Sequence, residues 1–256
     1  MFLAIDVGNT NTVIGAYDGD TLLDNWRIAT NRASTWDDYA VVLSTLCHMT
    51  KLDPMDISSA IISSTVPAAV EPMRRALAHR FGADPVVVVG PGVKTGMPIL
   101  YDNPREVGAD RIVNAVAAWH KYRRGAVVVD FGTATTFDCI TDKGEYLGGV
   151  ICPGITISAD ALYRHAAKLP RVEVSRPDSI IGRNTVTSIQ AGLFYGYVGL
   201  VDGIVKRMAA EATFPVKVIA TGGLAYHIAG TSETIEEVDE LLTIEGLKLI
   251  YALNSD

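Results

Sequence analysis

Cysteine is scarce in this chain of 256 residues. Cys47, Cys139 and Cys152 are too few and too scattered to form a disulfide framework, and they point to a reducing compartment, the cytoplasm. Positive charge is also in short supply. Lys and Arg number 22 against 29 Asp and Glu, giving a formal net charge of −7 and a pI of about 5.2. That balance argues against general nucleic-acid binding, which calls for a basic face. No uninterrupted apolar run approaches the roughly 18 residues of a membrane helix, so no membrane partner is expected. The N-terminus shows neither the basic region nor the cleavage site of a secretory signal. The five histidines lack metal-ligand spacing, and no low-complexity segment is present.

What the chain does have is one pattern used twice. Residues 3–12 read Leu-Ala-Ile-Asp-Val-Gly-Asn-Thr-Asn-Thr, and residues 127–136 read Val-Val-Val-Asp-Phe-Gly-Thr-Ala-Thr-Thr. Each is an apolar run ending in an aspartate (Asp6, Asp130), then any residue, a glycine (Gly8, Gly132) and a set of hydroxyl or amide side chains. A glycine turn lets backbone N–H groups approach phosphate oxygens with no Cβ in the way. The hydroxyls of Thr10, Thr12, Thr133, Thr135 and Thr136 add donors. A carboxylate repels phosphate, so the aspartates are suited to a cation or its water shell. The duplication suggests two similar lobes facing each other across a nucleotide.

The surrounding pattern is α/β. Strands are expected at Phe2–Val7, Thr12–Tyr17, Thr21–Ile28, Ile57–Ser64 and Pro85–Val89, with helices over 35–49 and 67–81. A Gly- and Pro-rich stretch, 90–104, leads to a helix over 106–122. The second lobe repeats the order. It has a strand from Ala126, a hairpin of Thr135–Thr141 with Glu145–Ile151, helices over 155–168 and 186–211, a strand at Val216–Ala220 and a closing helix at Thr243–Leu253. The expected division is 1–115 and 116–256, two ribonuclease H-like lobes of mixed sheet flanked by helices.

Two motifs compete with this reading. Gly90-Pro91-Gly92-Val93-Lys94-Thr95-Gly96 contains Lys-Thr after a strand, but it lacks the adjacent Gly-Lys of a Walker A loop, and Pro98 prevents a helix from starting there. Gly192, Gly196, Gly199 and Gly203 recur within a predicted helix, where each costs about 1 kcal/mol relative to Ala. Their spacing suggests close packing, either between subunits or within the core.

Two further segments carry candidate chemistry. Tyr101 to Arg111 is dense in polar groups: Gly108 allows close ligand approach, Arg111 suits a carboxylate, and Asp110 could orient a hydroxyl or accept its proton. The alternative for this segment is a capped helix start with an internal Asp–Arg pair. Ala220-Thr221-Gly222-Gly223-Leu224-Ala225 offers a bare strand-to-helix turn against which a purine ring could lie.

Taken together, these segments resemble the acetate kinase, sugar kinase, heat-shock ATPase and actin superfamily. Over essentially its full length the chain resembles type III pantothenate kinases. The resemblance is carried by the Asp6–Thr12, Pro91–Gly96, Tyr101–Pro104, Gly108–Asn114, Asp130–Thr136, Gly182–Thr185 and Ala220–Gly223 segments. It implies ATP-dependent phosphorylation of the primary hydroxyl of pantothenate, the first step of coenzyme A biosynthesis. It also implies that Asp6, Val7, Gly8, Asn9, Thr10, Asn11, Thr12, Val13 and Thr133 bind ATP, and that Tyr101, Gly108, Ala109, Asp110 and Arg111 bind pantothenate with Asp110 as proton acceptor. Asp130 would hold an activating monovalent cation, K⁺ or NH4⁺, with Mg²⁺ helping to neutralise the phosphates. Thr185 would reach the substrate of a neighbouring subunit, making the protein a homodimer. An inactive paralogue serving as an accessory factor in transcriptional regulation, and a kinase for another small hydroxy-acid, are the competing readings. The intact Asp6, Asp110, Arg111 and Asp130 weigh against the first.

Overall fold

Two five-stranded mixed sheets with the same internal order account for the strand content. The structure is a computed structural model and describes residues 1–255. One unit comprises Met1–Met97, Asn103–Ala117 and Leu242–Asp256; the other comprises Pro98–Asp102 and Ala118–Leu241. The division at 115/116 therefore fails at the C-terminal end, because the last helix returns to the first unit. It also misses the short 98–102 segment, which belongs to the second.

In the first unit, β1 (Phe2–Val7), β2 (Asn11–Asp18), β3 (Thr21–Ala29), β4 (Ser59–Ser64) and β5 (Val86–Val88) run in the order β3-β2-β1-β4-β5. The first three form an antiparallel meander, while β1, β4 and β5 pair in parallel. Alternation sorts the side chains. Leu3, Ile5, Val7, Ile14, Ala60 and Ile62 form a core with Tyr39 and Leu43 of α1 (Trp36–Met49) and Met73 and Leu77 of α2 (Pro67–Arg80). Each large aliphatic side chain so buried contributes about 1.5–3 kcal/mol. Helix α1 begins where it should, at a capping box in which Thr35 and Asp38 satisfy each other's backbone N–H groups. The opposite sheet face, which carries Asp6, is covered by the last helix, α7 (Leu242–Ala252). The glycine at position 15 makes that cover possible, since a Cβ there would come within 2.9 Å of Ile244 Cδ1.

The second unit contains β6 (Ala126–Phe131), β7 (Ala134–Ile140), β8 (Tyr146–Pro153), β9 (Lys217–Thr221) and β10 (Glu237–Val238), ordered β10-β9-β6-β7-β8. Strand for strand this is the same sheet, with the same pairing directions. Val127, Val129, Phe131 and Phe137 pack with Phe194, Val198, Val201 and Val205 of α5 (Thr185–Glu211). Helix α4 (Ile155–His165) precedes α5, and α6 (Ala225–Ala229) links β9 to the two-residue β10. By length and composition α5 could cross a membrane, but Phe194, Tyr197, Val198, Val201 and Val205 are packed in this core. Helix α3 (Ala109–Tyr122) starts in the first unit and ends in the second.

The duplication is not residue-for-residue. In the first unit Val7 pairs with Thr12, leaving four residues in the turn; in the second Phe131 pairs with Thr135, leaving three. The structural counterpart of the buried Thr12 is therefore the buried Thr135, rather than Thr136.

Candidate functional site

The first unit builds its glycine turn at the end of β1. Gly8 N–H donates to Asn11 O at 3.0 Å, and a Cβ on Gly8 would press on that same oxygen at 3.0 Å. Asn9, Thr10 and Asn11 are exposed, while Val7 and Thr12 are buried and Asp6 and Val13 half-buried. The turn is tied down on both sides. Thr30 N–H donates to Thr10 O at 2.9 Å, and the Thr12 and Thr30 hydroxyls are hydrogen-bonded at 2.9 Å. Asn9 Nδ2 donates to Thr65 Oγ1 at 3.3 Å and Arg32 Nη2 to Asn9 Oδ1 at 2.8 Å. The turn is thus held by its neighbours with its tip open to solvent, which suits a phosphate ligand approaching backbone N–H groups. Thr30, Arg32, Ser63 and Thr65 escape a reading by motif. Their signal is positional: β4 lies parallel to β1, with Ser63 beside Asp6, so the Ser63-Ser64-Thr65 run ends at the same sheet edge.

The Gly108–Arg111 segment forms the start of α3 in this same unit. Asn114 Oδ1 accepts a hydrogen bond from Thr243 Oγ1 of α7 at 2.7 Å, and Val113 O lies where a Cβ on Gly246 would sit. Helix α7 therefore fixes α3 while also covering the Asp6 face of the sheet. Asp110 Oδ1 accepts from Arg111 N–H at 2.9 Å. A Cβ on Gly108 would come within 2.6 Å of that carboxylate oxygen, so glycine is what lets the side chain fold back over the helix start. Burial pushes the Asp110 carboxyl above the ordinary aspartate value, opposed in part by the Arg111 N–H and its guanidinium charge. Ala109 is half-buried and Arg111 buried. The Asp110 carboxylate thus caps a backbone N–H of the first turn of α3 through its Oδ1.

In the second unit Asp130 stands at the end of β6, flanked by Thr136 on β7 and Thr221 on β9. Gly222, at φ +91°, closes over it: a Cβ there would lie 2.5 Å from Asp130 Oδ1 and 2.8 Å from Phe131 backbone atoms. The second and third sequence motifs thus meet at one carboxylate. Thr133 sits in the turn, with its carbonyl accepting from Gly154 N–H at 3.1 Å. The Asp130 carboxylate and the neighbouring threonines on β7 and β9 bring oxygen donors of the kind a hard cation takes. No cluster of three or more His, Cys, Asp or Glu side chains occurs among the described residues, so a cation here would draw on one carboxylate, backbone oxygens and ligand phosphates.

Tyr101 also belongs to the second unit, on the segment pinned along the start of β8. Thr185 lies elsewhere in that unit. It is the exposed first residue of α5, capped by Asn184 and Thr187, at a groove with Leu162, Leu169, Ser188, Ile189 and Gly192. Cβ atoms built on Gly192, Gly196 and Gly199 would meet nothing within 4 Å. Close packing among the described residues therefore does not require glycine at these three positions. The Gly90–Gly96 loop has a structural explanation: Asn254 clamps Lys94, accepting from its N–H at 3.0 Å and donating to its carbonyl at 2.8 Å.

A family model described as type III pantothenate kinase matches residues 2–207. A type III pantothenate kinase of Anaeromyxobacter sp. (strain Fw109-5) is 59% identical over 99% of this chain and 100% of its own length. The one from Geobacter sulfurreducens is 56% identical over the whole of both chains. Among solved structures, a Campylobacter jejuni protein described as a Baf family transcriptional activator aligns with TM-score 0.61 at 20% identity, covering 99% of this chain and 98% of its own. A Streptomyces griseus ROK family glucokinase, solved with glucose and AMPPNP, aligns with TM-score 0.56 at 13% identity, covering 100% and 99%. At those identities the structures speak for the two-lobed fold alone. The near-full-length identity to the curated enzymes goes further, and this chain belongs to the type III pantothenate kinase family.

Proposed function

We propose that this chain transfers the γ-phosphoryl group of ATP to the primary hydroxyl of pantothenate, yielding 4′-phosphopantothenate for coenzyme A biosynthesis in the cytoplasm. The observation that carries the reading is the Asp110 carboxylate, held at the head of α3 by Arg111 N–H and given room by Gly108. Asp110 accepts the hydrogen bond of the attacking hydroxyl and orients it. Phosphoryl transfer passes through a loose transition state, so the proton need leave only late. A carboxyl raised by burial is the better acceptor for it. Buried Arg111 pairs with the carboxylate of pantothenate in two parallel hydrogen bonds, while Gly108, Ala109 and Tyr101 border the acceptor. The Asp6–Val13 turn presents N–H groups to the phosphates of ATP, and Thr133 adds a contact from its own turn. Asp130, with Thr136, Thr221 and the backbone of the Gly222 turn, suits K⁺ or NH4⁺. Asp6 suits the water shell of Mg²⁺ carried by ATP. Bound there, these ions supply charge neutralisation.

The protein acts as a homodimer through α5. Bare glycines cost a helix about 1 kcal/mol each, and packing among the described residues would leave room for a Cβ at Gly192, Gly196 and Gly199. A second copy packed along this ridge would offset that cost and bring Thr185 to the neighbouring acceptor. The transcriptional reading has no support from charge, since the chain carries −7.

The test is ADP release coupled to a dehydrogenase readout, with and without pantothenate, in potassium and then in sodium. Pantothenate- and potassium-dependent ADP is expected, with Asp110→Asn losing most turnover while still binding ATP. ADP release indifferent to pantothenate would overturn the acceptor assignment, and a monomer in sedimentation equilibrium would overturn the α5 interface.

A further inference from the structure

Asp138 is fully buried on β7, in the middle of the second sheet, and neither the duplicated motif nor the proposed chemistry uses it. A buried carboxylate is costly unless it is well bonded. Its partners here form a line. Tyr146 OH donates to Asp138 Oδ1 at 2.7 Å, and Thr136 Oγ1 donates to Asp138 Oδ2 at 3.3 Å. Thr136 is the cross-strand neighbour of Asp130. Asp130, Thr136 and Asp138 therefore share the sheet face opposite Phe137 and Cys139, which are in the apolar core.

Tyr146 joins that face because of a bulge. Gly149 pairs with Asp138 and Gly148 with Cys139, but Ile140 then pairs with Tyr146 and skips Leu147. Without the extra residue Leu147 would occupy the position, since a one-residue slip exchanges the two faces of a strand. Tyr146 is fully buried and also carries the 98–101 segment. Tyr146 N–H donates to Pro98 O at 2.8 Å, Leu100 N–H donates to Tyr146 O at 2.8 Å, and the Tyr101 ring stands 6.4 Å from the Tyr146 ring.

We infer that Asp138 and Tyr146 are positioning residues for the acceptor: the buried Asp138–Tyr146 hydrogen bond locks the strand and ring that hold Tyr101 in place. This rests on the reading of Tyr101 as an acceptor-site residue. A side chain that acts only on fold stability would lower the melting temperature and leave Michaelis constants alone. A positioning residue moves the constant for the substrate it positions.

The experiment measures steady-state constants for the full-length Tyr101→Ala, Tyr146→Phe and Asp138→Asn variants, with melting temperatures alongside. The expected result is a rise of about five-fold or more in the pantothenate KM of all three, with the ATP KM within about two-fold of the parent. Tyr146→Phe added to Tyr101→Ala should give no further rise. If Asp138→Asn fails to fold, Tyr146→Phe, which removes one hydroxyl, decides the matter. An unchanged pantothenate KM in folded Tyr146→Phe, with a raised one in Tyr101→Ala, overturns the inference and leaves the acceptor reading standing. An unchanged KM in Tyr101→Ala overturns both.

Discussion

Replacing Gly108 by alanine separates the position of one carboxylate from the stability of the fold. The added methyl would come within 2.6 Å of Asp110 Oδ1, so the oxygen must retreat by about 0.8 Å to reach the 3.4 Å of an ordinary contact. Other neighbours are no obstacle, since Asp110 Cγ and Arg111 Cδ lie at 3.7 and 3.8 Å. Gly108 is also outside the left-handed φ range, so alanine suits its backbone. Moving the carboxylate weakens its 2.9 Å bond from Arg111 N–H, a charged hydrogen bond contributing about 1.5–3 kcal/mol. Alanine returns about 0.4–1 kcal/mol by restricting the unfolded chain. The net loss of about 1–2 kcal/mol corresponds to a fall of only a few degrees in Tm for a chain of this size. Turnover should suffer far more, because misplacing a catalytic group by about 1 Å costs roughly 10²-fold. The assay is kcat with saturating pantothenate and ATP, read beside a thermal melt. Parental kcat in Gly108→Ala would refute the placement of Asp110 at the chemistry. A melt lowered by tens of degrees would refute the local nature of the contact.

Gly222→Ala faces a harder obstacle: φ is +91° and the new methyl meets β6 backbone as well as Asp130. Left-handed strain of about 1–2 kcal/mol and overpacking of about 1–3 kcal/mol should lower stability in urea and weaken activation by potassium together; a variant with both intact would disprove the contact. Asp202 of α5 accepts from Ser232 Oγ, Thr234 Oγ1 and the Glu233 and Thr234 N–H groups. Asp202→Ala should therefore cost about 2–4 kcal/mol, read by denaturant unfolding. Burial alone would raise the Asp202 carboxyl, but those hydrogen bonds outweigh it and hold it below the ordinary value. Its stabilisation is present above the unfolded-state pKa and is lost as pH falls through the folded one. Asp110 has the opposite sign. With its folded pKa raised, its favourable contribution exists at low pH and disappears as pH rises through that value, so Asp110→Asn should melt higher than the parent at neutral pH. The acidic limb of parental kcat/KM should lie above the ordinary aspartate range; a limb at that range would contradict the burial of Asp110.

Local signals carried most of the fold. Apolar patterning located β1 to β4 and β6 to β9 within a few residues of their observed ends, and apolar residues at three- and four-residue spacing placed α1. Position in the chain misled where the topology is non-local. The closing helix looks like part of the second lobe until its contacts with β1 and β4 are seen, and the two-residue β10 is too short to leave a periodic pattern. The candidate site divides in the same way. Glycine turns and the Gly-Ala-Asp-Arg run announce themselves because the backbone must do something unusual there. Ser63, Thr65 and Thr30 do not, since their relevance comes from strand pairing that a linear reading does not show. Asp138 was hidden for a related reason: an acidic residue in a strand reads as solvent-facing until a bulge two positions beyond its cross-strand partner turns a tyrosine towards it.

The return of α7 to the first unit has a consequence for biosynthesis. The strands β1 to β5 are made before the helix that covers β1 and β4, and that helix follows the whole of the second unit in the chain. Tyr251, whose ring lies 4.4 Å from that of Phe2, and Asn254, which clamps the Lys94 loop, are likewise made only after the second unit. The lobe begun earliest is thus finished after its twin. Released chains truncated before Leu242 should display the uncovered Asp6 face of the sheet to chaperones, while carrying every strand of the later lobe.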